Sequence, residues 1–478
     1  MRRRHGGTGL HSLSTCGNGA AARRRELFPR CASCGNAGPV QAVALRLKIN
    51  QFNVVHEHNG SLLIMNARTG GILSLNPEYA QKFKRIQEGD VRDADDLVAE
   101  LIRGGILVNE ERDELGEIRL QSRAARFANT ALSLTIAPTM ACNFCCPYCY
   151  EKGQAYTTMG EEVLTQLSKF VKDYYPGIAS LSVGWYGGEP LLGMKMIERI
   201  TSDLKDVVGP TCEYSASIVT NGYLLTPDVA RRLAACGVTS AQVTIDGSKS
   251  DHDSRRILHD GSPTYERILK NVKECADIID ISIRSNVDKT NIEAAQELLD
   301  YLELNGLMNK VHFYLAPVDD INQVCANDSH CFTVKEFSYE ETEFYKRAIA
   351  RGFKVQPFGG TNFGICCAVG INSYVVDPVG DLYKCWDDIG MKERRVGTIF
   401  EPPMLSKNMI NWMAYEPDDP ECQECFAFPM CMGGCPNHAL NGEGKRCVSF
   451  RYDAEQKMLL SQMMNTAKRG AGQNEADA

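Results

Sequence analysis

The sequence of 478 residues lacks the features that would place a protein in a membrane or on nucleic acid. It has no run of about 18 apolar residues, so we expect no transmembrane helix. It also lacks an excess of positive charge, because 52 Lys and Arg stand against 60 Asp and Glu and give a net charge of −8. Such a chain has no general attraction to nucleic acid or anionic lipid. We therefore expect a cytoplasmic protein with no nucleic-acid or membrane partner.

The first 45 residues lack hydrophobic periodicity and are poor in acidic residues, although they contain seven Arg. No apolar stretch of about 7–15 residues follows Arg4, which argues against a signal peptide. An Arg-rich organellar leader is one alternative, but the composition favours a disordered extension over residues 1–46, or translated sequence upstream of the true start. Cys31 and Cys34 form a single Cys-x2-Cys pair with no second pair nearby, and they carry little weight.

Cysteine is the residue type in excess, with 20 in the chain. In a large chain without secretory features, clustered cysteines indicate metal or redox chemistry rather than a disulfide scaffold. The hydrophobic fraction of 44% is that of an ordinary globular protein, and the length predicts two to four domains.

Residues 47–128 have the pattern of a small α+β domain. The pair Asn59-Gly60 between two apolar runs predicts a β-hairpin. A third strand follows, and Asn76-Pro77 is typical of the first residues of a helix. Three strands and then helices predict a winged-helix-like unit.

From Leu132 to Val318 strand-like and helix-like segments alternate strictly, which predicts a parallel sheet with right-handed crossovers. We expect a partial (β/α)6 barrel over residues 129–330, with its chemistry at the carboxyl ends of the strands. The six predicted strands are 132–136, 181–185, 216–220, 241–245, 279–287 and 311–316.

A bridging helix is predicted over residues 331–357, followed by a loop-rich domain at 358–469 and a disordered tail at 470–478. The loop-rich domain contains much Gly, Pro and Cys and cannot build a large core unaided. We expect bound metal to stabilise it.

Cys142, Cys146 and Cys149 lie on one loop directly after the first barrel strand. Three thiolates within eight residues can hold three corners of an iron–sulfur cube and leave the fourth iron open to a chelating molecule. Zinc with three cysteines and a water is the alternative, but structural zinc sites usually use two cysteine pairs. Cys145 falls between the spaced ligands and is interpreted as a bystander.

This loop, MACNFCCPYCYEKG, resembles the signature of the radical S-adenosylmethionine (radical SAM) superfamily, with Tyr148 at the aromatic position. The resemblance covers residues 132–318 and implies a [4Fe–4S] cluster and bound S-adenosylmethionine. Glu189 would receive the methionyl ammonium, and Arg256 would hold the carboxylate in bidentate geometry, with Arg255 as a solvated competitor. The implied cofactor contacts are Tyr148, Gly187, Gly188, Glu189, Pro190, Ser217, Asn221 and Arg256.

A second set of cysteines resembles the SPASM domain, which carries two auxiliary [4Fe–4S] clusters and would bring the total to three. The doubled Cys366-Cys367 leaves open which thiol is a ligand and whether one iron is vacant. Two zinc sites are the alternative. By resemblance, one cluster is held by Cys422, Cys425, Cys431 and Cys447, and the other by Cys385 and Cys435 with Cys366, Cys367 or both.

The resemblance implies that a 5′-deoxyadenosyl radical takes a hydrogen from a substrate. The N-terminal unit resembles elements that bind a leader peptide by strand addition. The sequences of residues 49–76 and 134–151 most resemble those of maturases that form thioether crosslinks. We therefore expect two partners, a cysteine-rich precursor peptide with a leader and a flavodoxin- or ferredoxin-like reductant. Formylglycine formation and a non-catalytic electron-transfer protein are the alternatives. Trp185, Tyr186, Asp246 and Asp288 are candidates for lining the site, without an assigned role.

Overall fold

The structure is a computed structural model that describes residues 10–13, 46–89, 96–149, 151, 153–318, 330–358 and 366–476. The predictions for Cys31, Cys34 and most of the N-terminal extension fall outside these residues. The chain divides into two compact units. The first comprises residues 1–119, 360–362 and 420–430, and the second comprises 120–359, 363–419 and 431–478.

The first unit contains short antiparallel strands and two helices, followed by a third helix in which the division between the units falls. Its elements are β1 (Leu10–Leu13), β2 (Leu47–Ile49), β3 (Asn53–His58), β4 (Ser61–Asn66), β5 (Ile72–Leu75), α1 (Pro77–Gln87), α2 (Asp96–Arg103), β6 (Leu107–Asn109) and α3 (Glu114–Arg126).

The predicted hairpin is confirmed. Asn59 and Gly60 both have positive φ, 51° and 74°, which is the backbone of the tight turn between β3 and β4. Asn76 caps α1 by accepting a hydrogen bond from the Tyr79 amide, as its position before Pro77 predicts. The sheet order is β1-β5-β4-β3, so residues 10–13 form an edge strand in a region where the sequence indicates disorder. The winged-helix assignment itself stays a prediction.

The first part of the second unit is the predicted alternation of strands and helices. Its elements are β7 (Ala131–Ile136), α4 (Glu161–Tyr174), β8 (Ser180–Trp185), α5 (Met194–Val208), β9 (Glu213–Thr220), α6 (Pro227–Ala235), β10 (Val238–Thr244), α7 (Lys249–Arg255), α8 (Tyr265–Cys275), β11 (Asp280–Val287), α9 (Ala295–Leu304) and β12 (Val311–Pro317).

Strands β7 to β12 are neighbours in chain order and pair in parallel. The mixed α/β fold with a central parallel sheet is therefore confirmed, while closure into a partial barrel of six units stays a prediction. All six strand ends point the same way, so the loops that follow them meet at one edge.

The two faces of the parallel sheet differ in chemistry. One face is buried and mainly apolar, with Leu134 and Val183 in register as an example. On the other face Ser133, Ser182 and Ser215 pair across three neighbouring strands and are partly or fully exposed. On these three strands the alternation leaves small polar side chains facing away from the core.

The remainder of the chain contains short elements and two long helices. They are α10 (Val334–Ala350), β13 (Ser373–Val376), β14 (Asp381–Tyr383), β15 (Gly397–Thr398), α11 (Lys407–Ala414), α12 (Pro420–Gln423), α13 (Phe428–Cys431), α14 (Pro436–Leu440) and α15 (Phe450–Ala476).

Two features of this region differ from the prediction. Strand β13 pairs in parallel with β7, and β14 and β15 extend the sheet further, although the sequence reads as loop there. Helix α15 continues to Ala476, past residue 470, where the sequence predicts the start of a disordered tail. Among the described residues, no helix is sufficiently long and apolar to traverse a bilayer.

Candidate functional site

The three-cysteine loop is anchored by its backbone to the surrounding chain. The Met140 amide donates to the Thr157 carbonyl at 2.8 Å, and the Cys145 amide donates to the Ile257 carbonyl at 2.9 Å. Phe144 forms an isolated bridge with Leu258. The loop therefore keeps its course at the carboxyl end of β7 through bonds that do not involve its thiols.

The thiols of Cys142, Cys146 and Cys149 are partly buried, whereas Cys145 is exposed. Burial raises the pKa of Cys142 to about 12 and that of Cys149 to about 11, and it also raises the pKa of Cys146. Among the described residues, no three His, Cys, Asp or Glu side chains are grouped closely enough to hold a single metal ion. The fit to an iron–sulfur cluster rests on the donor set, which is three thiols on one anchored loop with no competing carboxylate or imidazole in their spacing.

Gly187 and Gly188 bring the end of β8 against the backbone of this loop. A Cβ at Gly187, which has φ +104°, would lie 2.4 Å from the Thr139 carbonyl oxygen. A Cβ at Gly188 would lie 2.5 Å from the Ala141 and Met140 carbonyl oxygens. The close approach that these glycines permit is to the cysteine loop itself, and a ligand contact at this turn, Pro190 included, stays a prediction.

Glu189 is fully buried and joins the ends of two strands. Its carboxylate accepts hydrogen bonds from the Leu191 amide at 3.0 Å, the Thr220 hydroxyl at 2.8 Å and the Asn221 amide at 2.8 Å. Burial raises the pKa of Glu189, and these donors act against that rise. A carboxylate has about four lone-pair sites, so one site remains for a further donor. Asn221 in turn donates to Asn143 on the cysteine loop at 2.8 Å.

Tyr148 connects the same loop to the ends of β10 and β11. Its hydroxyl donates to Asp246 and accepts a hydrogen bond from Arg256 Nη1 at 2.9 Å. Asn286 Nδ2 lies 3.5 Å from the same oxygen, and the Asn286 amide donates to Asp246 at 3.1 Å. Burial raises the pKa of Tyr148, so the hydroxyl keeps its proton.

Arg256 is buried, with an exposed fraction of 8%, and its guanidinium lies 5.6 Å from the ring centre of Phe144. Its Nε has no hydrogen-bond partner in the described part of the chain. A buried guanidinium N–H without a partner is costly, so its presence indicates a ligand group at this position.

His252 holds Arg256 in place. The Arg256 amide donates to the His252 carbonyl at 2.7 Å, and Thr264 donates its hydroxyl proton to the Arg256 carbonyl. The imidazole must then donate from Nε2 to the Thr264 oxygen, while Nδ1 accepts from the Asp246 amide at 3.2 Å. Burial, helped by the charge of Arg256, lowers the pKa of His252, so the ring is neutral.

Other predicted site residues have different surroundings. Ser217 is exposed on β9 and lies three residues before the strand end, about 10 Å from Thr220 along the strand, and its contact with the cofactor stays a prediction. Trp185 is fully buried on the apolar face of the sheet and does not line the site. Tyr186 stacks on Trp386 at 5.7 Å. Asp246, which had no assigned role, is the acceptor of the Tyr148 hydroxyl.

Sequence reasoning missed Asn143, which lies on the cysteine loop, and Thr264, which directly precedes helix α8. Their positions in polar loops are the signal that could have found them.

The predicted ligand set of Cys366, Cys367, Cys385 and Cys435 lies in the second unit, and its role as a cluster site stays a prediction. The hydrogen bond with Cys367 and burial raise the pKa of Cys366, and the charge of Cys385 adds a smaller rise. Burial raises the pKa of Cys385, and the charge of Cys435 adds a smaller rise. The hydrogen bond between the Cys366 and Cys367 thiols lowers the pKa of Cys367 to about 6.

The other predicted ligand set is divided between the units. Cys422 and Cys425 belong to the first unit, and Cys431 and Cys447 to the second. Cys447 accepts a hydrogen bond from Arg451 Nη1 at 3.0 Å.

Comparison with known proteins identifies the sheet and the site. Residues 136–302 match the radical SAM superfamily. These residues are a radical SAM domain. The resemblance inferred from the cysteine loop is thus confirmed, and members of this superfamily bind a [4Fe–4S] cluster and S-adenosylmethionine.

Relatives of the radical SAM domain include peptide-modifying enzymes. The chain is 23% identical over 378 residues to the cysteine-type anaerobic sulfatase-maturating enzyme of Clostridium novyi, which covers 71% of this chain and 98% of that protein. It is 24% identical over 339 residues to the mycofactocin maturase MftC of Mycolicibacterium smegmatis, covering 66% and 81%. The structure of anSMEcpe with bound AdoMet and Kp18Cys peptide has a TM-score of 0.54 at 19% identity, covers 70% of this chain and 99% of its own, and shows the same fold.

Proposed function

We propose that this protein is a radical SAM peptide maturase that forms thioether crosslinks in a cysteine-rich precursor peptide. The observation that carries the proposal is the joining of the cysteine loop to the strand-end groups. Tyr148 connects the loop to Asp246 and Arg256, and Asn143 connects it to Asn221, whose amide bonds Glu189. The loop and the polar groups therefore form one site.

Cys142, Cys146 and Cys149 would hold a [4Fe–4S] cluster, and the C-terminal cysteines would hold two auxiliary clusters. Bound there, these groups supply one-electron transfer and, with S-adenosylmethionine, a 5′-deoxyadenosyl radical that can take hydrogen from an unactivated C–H bond. The role of the protein is to bind, orient and exclude water.

The free hydrogen-bonding capacity of the site matches the methionyl group of S-adenosylmethionine. Glu189 retains a lone pair for an ammonium, and Arg256 Nε is a free donor for a carboxylate. The charged side chains counted in the site are Glu189, Asp246, Arg255, Arg256 and Asp288. Their three carboxylates and two guanidinium groups leave one formal negative charge. This charge complements S-adenosylmethionine, whose sulfonium, ammonium and carboxylate sum to one positive charge.

A peptide substrate fits the polar face of the sheet. That face presents Ser133, Ser182 and Ser215 in register and ends at the cysteine loop. Hydroxyl groups of this kind can bond an extended peptide backbone without demanding one sequence. A thioether link forms one S–C bond and removes the thiol proton, one C–H hydrogen atom and one electron, so each link lowers the peptide mass by two hydrogens.

The radical chemistry is tested by the release of 5′-deoxyadenosine from S-adenosylmethionine under dithionite. The wild type should release it, and the Cys142→Ala/Cys146→Ala/Cys149→Ala variant should not, while retaining the iron of the auxiliary clusters. Cys145→Ala is the matched control, because Cys145 is exposed on the same loop. Release by the triple variant would refute the assignment of the loop.

The similarity to the sulfatase-maturating enzyme of Clostridium novyi supports a second candidate function. That function is the oxidation of one Cys or Ser to formylglycine. Mass spectrometry of a coexpressed cysteine-rich peptide separates the two functions. A loss of two hydrogens per link with thiols that no longer alkylate supports the thioether. An aldehyde on a single residue, trapped by a hydrazide, supports formylglycine.

A further inference from the structure

The sequence predicts that the Arg255 side chain is solvated, but the structure buries most of it. Only 14% of its side chain is exposed, and Nη2 forms an ion pair with Asp288 at 2.8 Å. Its guanidinium lies 5.1 Å from the ring centre of Tyr148. The side chain is therefore held inside the site by a carboxylate on one side and an aromatic face on the other.

Arg255 Nη1 is buried and has no hydrogen-bond partner in the part of the chain that the structure describes. The same is true of Arg256 Nε. Two consecutive arginines thus each leave one buried donor unused, and both contact Tyr148 on the cysteine loop. Because buried N–H groups are nearly always paired in folded proteins, the two free donors indicate a ligand with acceptor oxygens.

The chemistry of the site selects which acceptor this is. Glu189 keeps a lone pair suited to an ammonium, and a guanidinium is suited to a carboxylate. The ion pair with Asp288 leaves Arg255 little net charge to attract a distant anion, but it fixes the direction of Nη1. A short-range contact to a carboxylate already bound by its neighbour matches these properties.

We propose that Arg255 Nη1 is a second donor to the methionyl carboxylate of S-adenosylmethionine, beside Arg256 Nε. This inference rests on the proposed function. It assigns a binding role to a residue that the sequence motif does not include. Two adjacent arginine side chains would then bind the carboxylate together.

The test compares binding of S-adenosylmethionine with binding of decarboxylated S-adenosylmethionine, which lacks only the carboxylate. Dissociation constants are measured by equilibrium dialysis with cluster-reconstituted protein. Arg255→Gln should weaken S-adenosylmethionine about ten-fold or more, the loss expected for one hydrogen bond between charged groups. It should change the affinity for the decarboxylated compound less than about two-fold.

Two variants serve as references. Arg256→Gln should show the same selectivity, because it also removes a carboxylate donor. Asp288→Asn removes the charge but keeps an oxygen that accepts a hydrogen bond from Nη2, so Nη1 keeps its direction and the variant should retain most of the preference for S-adenosylmethionine. Circular dichroism of each variant establishes that it is folded.

If Arg255→Gln weakens the affinity for both ligands equally, Arg255 only supports the structure. If it weakens the affinity for neither, Nη1 binds another group. Either result overturns the inference. If the wild type binds neither ligand, the proposed function itself fails, so the two failures are distinguishable.

Discussion

The three-cysteine loop and the C-terminal cysteine segment are built in opposite ways. The loop follows a strand of a parallel sheet and is bonded to three other parts of the chain through Asn143, Met140 and Cys145. The C-terminal segment contains helices of 8, 4, 4 and 5 residues, α11 to α14, around its cysteines. The fold therefore positions the first set of ligands, whereas we expect bound metal to stabilise the second.

Removing iron should have the largest effect, and it should act on only one of the two regions. Chelation under anaerobic conditions should abolish the hydrogen-exchange protection of α11–α14, because helices this short are not stable alone. The parallel sheet should keep its protection, since its core is apolar and independent of metal. Exchange mass spectrometry of reconstituted and iron-free protein measures both. Equal loss in both regions would contradict the comparison.

Gly188→Ala should be the most disruptive single substitution at the cysteine loop. The new Cβ would meet two backbone carbonyl oxygens at 2.5 Å, and backbone atoms cannot rotate away. We expect a loss of about 3 kcal/mol in the free energy of unfolding, measured by urea denaturation.

Gly160→Ala is the matched control for this substitution. A Cβ there has no heavy atom within 4 Å, and φ is −89°. Its effect should be within about 0.5 kcal/mol. Similar losses for both variants would show that the loop is not packed as described.

Tyr148→Phe should have a smaller effect, because it removes one hydroxyl and leaves the ring. Asp246 and Arg256 Nη1 each lose a partner, which should cost about 2 kcal/mol of stability. Tyr156→Phe is the control, since Tyr156 is 69% exposed. A neutral Tyr148→Phe would show that the hydroxyl does not connect the loop to the sheet.

The pH dependence of stability should show the smallest effect, and it arises from His252. The pKa of His252 is lowered in the folded protein, so the unfolded state binds the proton more tightly. The neutral ring contributes its full share of the free energy of unfolding above about pH 6.5. Below that pH the contribution falls by about 1.4 kcal/mol per pH unit, until the pH reaches the pKa of His252 in the folded protein.

His252→Asn preserves an acceptor in the place of Nδ1 and does not titrate. This variant should lose that part of the pH dependence in urea titrations at pH 5 and 7. An unchanged slope would assign the effect to another group.

Much of the fold was predictable because its signals are local. The six parallel strands were found to within three residues at each end, since each combines an apolar face with a following polar turn. The hairpin at Asn59-Gly60 and the cap at Asn76 depend on two residues each. Strand β13 was not predictable, because four residues in a Cys- and Gly-rich stretch carry no periodicity and pair with β7, about 240 residues earlier.

The candidate site was predictable in its residue types but not in its connections. The sequence indicates Glu189, Asn221 and Arg256 through the motifs that resemble a family. It does not show that Tyr148 bonds to Asp246, or that Arg255 pairs with Asp288 instead of being solvated. Such contacts join residues that are 33 to 98 positions apart, and only the packing of the sheet brings them together.

The most direct test of the account uses two adjacent residues on the anchored loop, Cys145 and Cys146. We predict that Cys146→Ala loses about four iron atoms per chain and all release of 5′-deoxyadenosine from S-adenosylmethionine. Cys145→Ala should match the wild type in both measurements. If the two variants behave alike, or if Cys146→Ala still releases 5′-deoxyadenosine, the radical-generating site does not lie on this loop.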